Sequence, residues 1–112
     1  MSVLLIRQKA TGEEIKEMLK SLENYVKVAV DISNGILAGG GVLHADCESV
    51  LLEEGSKQED IWGADWYPEI KEIRYEAMIN ISLRRNNRSR EIQNPTVRET
   101  VGTVIKDLLD VE

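Results

Sequence analysis

The sequence predicts an α+β fold, a mainly antiparallel sheet with helices packed against one face, in the order β-α-β-β-α-β-β-α. Three features carry that prediction. Residues 25 to 32 alternate between apolar and polar positions and run into Asn34-Gly35, the best two-residue hairpin signal. A second alternating stretch fills residues 72 to 83. Capped amphipathic segments stand near both ends of the chain. Hairpin connections favour antiparallel pairing, and the apolar face of such a sheet must be covered by helices.

Val3 to Arg7 is a short apolar run and reads as the first strand. Thr11-Gly12-Glu13-Glu14 fits a capping box, in which the Thr11 hydroxyl accepts from the Glu14 amide and the Glu14 carboxylate reaches back. Ile15, Met18, Leu19 and Leu22 follow at helical spacing, so a helix is expected from about Gly12 to Asn24. Val26, Val28, Val30 and Ile32 then share one face of a strand, with Lys27 and Asp31 on the other. A type I′ turn at Asn34-Gly35 returns the chain as Ile36-Leu37-Ala38.

Gly39-Gly40-Gly41 breaks the pattern. Residues 44 to 54 admit two readings. A helix groups Leu43, Cys47, Val50, Leu51 and Glu54 on one side and stops at Gly55; a strand places Cys47, Ser49 and Leu51 on one face. The helix is preferred. Ile61 to Tyr67 reads as a strand, Pro68 to Lys71 as its turn, and Glu72 to Leu83 as the partner strand, with Ile73, Tyr75, Ala77, Ile79, Ile81 and Leu83 facing one way. Residues 84 to 93 read as polar loop. Asn94-Pro95 opens the last helix, with Asn as N-cap and Pro at the first helical position. Val97, Val101, Val104 and Leu108 form its stripe, widened by Ile105 and Leu109.

Residues 1 to 112 are expected to form a single globular domain, since a chain of 112 residues lies near the common domain size. Such a chain buries roughly two thirds of its unfolded surface, enough for a core without staples. Cys47 is the one cysteine, which excludes an intrachain disulfide and a cysteine cage for zinc. With no expected leader in MSVLLIRQKA and no stretch long enough to cross a bilayer, a cytoplasmic setting is the expectation. The formal net charge of −6 argues against general coating of nucleic acid. Charge is unevenly placed, however. His44 to Glu76 holds ten acidic and three basic residues, whereas Arg84 to Arg98 holds five basic and one acidic. Nucleic acid is therefore expected, if anywhere, only at the Arg loop.

The stretches ILAGGGVLHADCESVLLEEGSKQEDIWGADWYPE and INISLRRNNRSREIQNP are long and specific. They resemble a family of small uncharacterised prokaryotic proteins, and the likeness covers roughly residues 26 to 105. It implies a prokaryotic cytoplasmic setting. It supplies no activity, so no residue role is carried over from it.

Several residues are candidates for chemistry. On a helix, His44 can share a face with Cys47 and Glu48. A His beside a Cys can raise the thiolate fraction, although a buried Cys packs as a small hydrophobe. His44 and Glu48, at i and i+4, can also present ligands to one metal ion, with Asp46, Asp60 or Asp65 completing an oxygen-rich shell suited to Mg²⁺ or Mn²⁺. The three glycines could offer free amides to an anion at a helix start, but the P-loop residues are absent, and close backbone packing is the simpler use. Trp62 and Trp66 share a strand face, where they stack on a ligand, form an interface or fill the core of a protein without Phe. Arg84, Arg85, Arg88 and Arg90 carry forked donors suited to phosphate and carboxylate, or pair with the protein's own acids.

Two functions compete on this evidence. The leading one is a binding or interaction domain, a homodimer with an anion-binding Arg loop that takes a small anionic ligand. Its dimer contact would rest on Trp62, Trp66 and Met78, oriented by the acidic and basic stretches. The alternative is a metal-dependent hydrolase or nuclease using His44, Glu48, Asp60 and Asp65.

Overall fold

A computed structural model of the chain describes residues 3–111. Its elements are β1 (Leu4–Ile6), α1 (Gly12–Leu19), β2 (Val26–Asp31), β3 (Ile36–Gly39), α2 (His44–Glu53), β4 (Ile61–Tyr67), β5 (Glu72–Arg74) and α3 (Pro95–Leu109). Short 3₁₀ turns occupy Gln58–Asp60 and Met78–Asn80. The strands form one antiparallel sheet in the order β1-β3-β2-β4-β5. The α+β class and nearly all of the expected element order hold, and residues 44 to 53 are helix.

The caps form as the sequence predicts. Thr11 and Glu14 bond reciprocally at the start of α1. The Asn94 Oδ1 accepts from the Thr96 and Val97 amides at the start of α3, with Pro95 as its first residue. Helix α1 ends at Leu19, short of the expected Asn24. The chain then turns back, with Glu23 at φ 70°, and the Ser21 hydroxyl donates to the Gly40 carbonyl.

The sheet is covered on both faces, which corrects the expectation of helices on one. Val26, Val28, Val30, Leu37, Trp62, Ala64 and Trp66 pack with residues of α1 and α3, among them Met18, Val101 and Ile105. Ala29, Ile36, Ala38 and Ile61 pack on the other side with Cys47 and Leu51 of α2. The physical reason lies in side-chain size. Ala29, Ala38 and Gly41 leave room for α2 to sit close, and a Cβ on Gly41 would lie 3.3 Å from the Cys47 sulfur. Alternation along β2 suggested a wet second face because Lys27 and Asp31 lie on it, but Asp31 is fully buried.

Asp31 is buried because it builds the hairpin. Its Oδ1 accepts from the Ser33 and Asn34 amides at 2.9 and 3.1 Å, and its Oδ2 accepts from the Asn34 carboxamide at 2.8 Å and the Ser56 hydroxyl at 2.6 Å. Burial alone would raise its pKa, but these donors outweigh that effect and hold the carboxyl below its ordinary value. The hairpin is consequently not the expected type I′ turn. Asp31 pairs with Ile36 across a four-residue loop, and within it only Gly35 takes positive φ, at 67°. An Asx-type turn has replaced the two-residue one.

The expected strand from 72 to 83 is the largest correction. β5 stops at Arg74. Beyond it, residues 76–93 fold into a compact platform held by isolated bridges, Glu76 with Glu91 and Ser82 with Asn87. The expected loop 84–93 is therefore the returning half of this platform. It packs on the sheet where Gly63 leaves space: a Cβ there would approach the Ala77 Cβ to 2.5 Å.

Candidate anion-binding site

β5 covers the edge of β4 only from Asp65 to Tyr67. Further back along β4 the backbone groups on that edge need other partners, because buried peptide groups left unpaired are costly. Two side chains of the platform supply them. The buried Asn80 carboxamide acts like a passing strand. Its Oδ1 accepts from the Gly63 amide at 2.7 Å, and its Nδ2 donates to the Gly63 carbonyl at 3.0 Å and the Arg90 carbonyl at 2.9 Å. One step on, Arg85 Nη1 donates to the Ile61 carbonyl at 2.7 Å and the Glu59 carbonyl at 3.3 Å, and Nη2 to the Ile79 carbonyl at 3.1 Å.

Asn87 closes the platform from within. Its Nδ2 donates to the carbonyls of Asn80, Ser89 and Glu91, and its Oδ1 accepts from the Gln93 amide. Buried networks of this kind are rigid when every member is satisfied. The arginines thus sit on a built scaffold rather than a free loop.

Arg85 is the hinge of the site. Its guanidinium lies 3.7 Å from the centroid of the Trp62 ring, a cation–π contact on an otherwise apolar wall. Burial lowers its pKa from the ordinary value, opposed by the charges of Glu48 and Asp60. A cleft of about 300 Å³ opens on one side of it, lined by Lys57, Gln58, Glu59, Ile79, Ile81, Ser82 and Arg84 as well as Arg85. A second, of about 290 Å³, is lined by Trp62, Arg85, Asn86, Asn87, Gln93, Asn94 and Val97.

The four candidate arginines are divided by the fold. Arg84 and Arg85 line the first cleft, where Arg84 lies 3.9 Å from the Glu59 carboxylate. The side chains of Arg88 and Arg90 are exposed and line neither cleft; their backbone groups serve the platform, Arg88 N–H donating to Gln93 and the Arg90 carbonyl accepting from Ala77 and Asn80.

The metal set does not assemble. Among the described residues no group of three or more His, Cys, Asp or Glu side chains is placed to hold a metal ion. His44 and Asp65 do meet: His44 Nε2 lies 2.8 Å from Asp65 Oδ1 and 3.1 Å from the Ala64 carbonyl. Both neighbours are acceptors, so Nε2 carries the proton and donates to them. Asp60 stands at the other end of β4, and Glu48 and Asp60 direct their charge at Arg85 instead. Asp46 lies in the first turn of α2. Cys47 is fully buried, donates to the Lys27 carbonyl, and has its thiol pushed up to about 11 by burial, so it is a packing residue and not a nucleophile.

Trp62 and Trp66 are 4% and 1% exposed, so they fill the core and cannot form a dimer contact. Sequence reasoning missed Asn80, Asn87, Lys57 and Gln93. A polar Asn80 between Ile79 and Ile81 was the visible signal, because a lone amide in an apolar run is worth burying only when its bonds are made.

No curated protein and no solved structure matches the chain. A family described as protein of unknown function, DUF5674, matches residues 4–108, from β1 into the last turn of α3. With a match over that length, the chain belongs to the DUF5674 family.

Proposed function

We propose that the chain is a one-domain binding protein whose working surface is the 76–93 platform, and that the group it binds is anionic. The observation that carries this reading is the first cleft, where Lys57, Arg84 and Arg85 outnumber the one acidic residue, Glu59, in a hollow also lined by Ser82 and Gln58. Arginine forks and a lysine point charge on a rigid base suit phosphate or carboxylate oxygens. The cysteine, free and buried, fits a reducing, cytoplasmic setting. No helix among the described residues is long and apolar enough to cross a membrane.

Titration with inorganic pyrophosphate, followed by amide NMR shifts, tests the reading. Saturable shifts are expected at Lys57, Ser82 and Arg84. Reversing charge with Arg84→Glu is expected to weaken binding at least roughly tenfold, as for loss of a charge-assisted hydrogen bond. Arg90→Glu, outside both clefts, is expected to change it far less. Equal losses in the two variants, or no saturable shift, would overturn the proposal.

A symmetric dimer has its own support in a different observation. Met78, Ile81 and Leu83 are 66%, 45% and 78% exposed, three large apolar side chains within six residues beside the basic cleft. A second copy brings acidic residues to that rim, so that opposite charges meet twice across a two-fold axis. Light scattering in the low micromolar range is expected to give a dimer mass, and Leu83→Glu a monomer. A monomeric wild type throughout that range sinks the dimer and leaves the anion cleft standing.

A further inference from the structure

We infer that Asn34-Gly35 is a latent modification site: Asp31 holds it shut in the folded chain, and opening of the β2–β3 hairpin lets Asn34 deamidate to a form that no longer closes. It is the one Asn-Gly pair in the sequence. In this reaction the Gly35 backbone nitrogen attacks the Asn34 carboxamide carbon. A C–N bond forms to the Gly35 nitrogen, the bond to Nδ2 breaks, and Nδ2 leaves as ammonia with the proton that Gly35 gives up. Water then opens the cyclic imide at either carbonyl, which leaves aspartate or isoaspartate. Glycine in the attacking position has no side chain to obstruct the approach and the widest backbone freedom. Asn34 and Gly35 are both exposed, so water has access to them.

In the folded chain both reacting groups are tied to Asp31, by separate bonds. The Gly35 N–H donates to the Asp31 carbonyl at 2.9 Å. Asn34 Nδ2 donates to Asp31 Oδ2 at 2.8 Å. The first bond retains the proton that the attacking nitrogen must lose. The second fixes the carboxamide by its leaving nitrogen. The carboxylate that does this is itself fixed, by the Ser56 hydroxyl at 2.6 Å on the same oxygen and by the Ser33 and Asn34 amides on the other. Asp31 is fully buried, so the reactive pair stands at the surface while its restraint is anchored in the core. Attack therefore requires local opening of the hairpin, and its rate follows the population of the open form.

The product does not fit the closed hairpin. Aspartate at position 34 sets an anionic oxygen where Nδ2 had donated, so two carboxylates with like charge and no donor between them face each other. Isoaspartate adds one carbon to the main chain between positions 34 and 35. In so short a loop the Gly35 N–H bond and the pairing of Asp31 with Ile36 cannot both survive that insertion. β2 and β3 are inner strands of the sheet and contribute to the core on both of its faces. Refolding does not restore the lost ammonia, so a chain whose hairpin has opened for long enough is changed permanently.

Peptide mapping by mass spectrometry, in mildly alkaline buffer, reads aspartate and isoaspartate at Asn34. Folded wild type is expected to deamidate there at least roughly tenfold more slowly than the same protein in guanidinium chloride. Asp31→Asn keeps the size of the side chain and an acceptor for the Ser33 and Asn34 amides, but sets an amino group against Asn34 Nδ2. With its folding checked by a thermal melt, this variant is expected to deamidate at Asn34 at least roughly fivefold faster than wild type, as for loss of one hydrogen bond. Asn34→Asp is the product itself, and Asn34→Ala loses the same bond without adding a charge. The first is expected to unfold at lower denaturant than the second. Equal rates in folded and unfolded wild type, no acceleration in folded Asp31→Asn, or a midpoint for Asn34→Asp at or above that of Asn34→Ala would each overturn the inference. Should Asp31→Asn not fold, the other two comparisons decide.

Discussion

Val101→Asp is expected to unfold most of the population at room temperature. Val101 is 0% exposed and sits in the middle of the α3 stripe, in the core it shares with Ile105, Leu109 and the sheet. An ionised carboxylate there has no partner, and neutralising it requires a large upward pKa shift. Loss of the valine packing adds a transfer and cavity cost. Together these amount to about 4 kcal/mol or more, which is a large part of the ~5–15 kcal/mol that holds a small domain together. Thr103→Asp is the matched control, since Thr103 lies on the exposed side of the same helix and such surface changes typically stay within about 0.5 kcal/mol. Denaturant melts of the two variants check the expectation. A wild-type midpoint for Val101→Asp would mean that the α3 stripe does not face the core.

The elements that were legible in the sequence are those whose signals are local. Thr11 with Glu14, and Asn94 with Pro95, announce helix starts through bonds to amides two or three residues away. The alternation of Val26, Val28 and Val30 reports one buried face directly. What was not legible depends on distant partners. Whether Asn34-Gly35 makes a type I′ turn was decided by Asp31, whose carboxylate takes a bond from Ser56 on the far side of α2. The apolar period from Ile73 to Leu83 looked like a strand, but Gly63 and Asn80 interact across 17 positions and end it at Arg74. The Arg run was visible as charge. That Arg85 would turn inward over Trp62, while Arg88 and Arg90 face water, follows from the open edge of β4, which no local pattern records. Likewise, a shared face for Trp62 and Trp66 was correctly implied by spacing, but its burial depended on α1 and α3 covering it.

Asn80→Asp should separate the platform from the sheet it sits on. The substitution preserves shape, so packing of Ala77 and Ile79 against Gly63 gives no reason for a change. Its effect is electrostatic and hydrogen-bonded. Asn80 donates to two carbonyl oxygens, those of Gly63 and Arg90, and an ionised carboxylate in its place would repel both. Losing two buried bonds and facing acceptors with an acceptor is expected to cost about 3–5 kcal/mol. The β2 and β4 ladder does not run through Asn80, so the helices and central strands should persist while residues 76–93 open. Hydrogen exchange should therefore speed up first at the Ala77 and Asn87 amides, which bond within the platform, and at the Ile92 amide, which ties it to the Tyr75 carbonyl. The cost should also depend on pH in a definite direction. Burial and the two carbonyls raise the pKa of the introduced carboxyl in the folded state, because its protonated form restores one donor. The folded state then holds a proton that the unfolded state has lost above about pH 4, so the variant loses stability relative to wild type as pH rises from there through the folded pKa. The first cleft is built on the platform, so pyrophosphate shifts should be lost with it at neutral pH. A variant that keeps wild-type exchange at Ala77 and Ile92, with a pH-independent difference in stability, would show that Asn80 is not what closes the edge of β4.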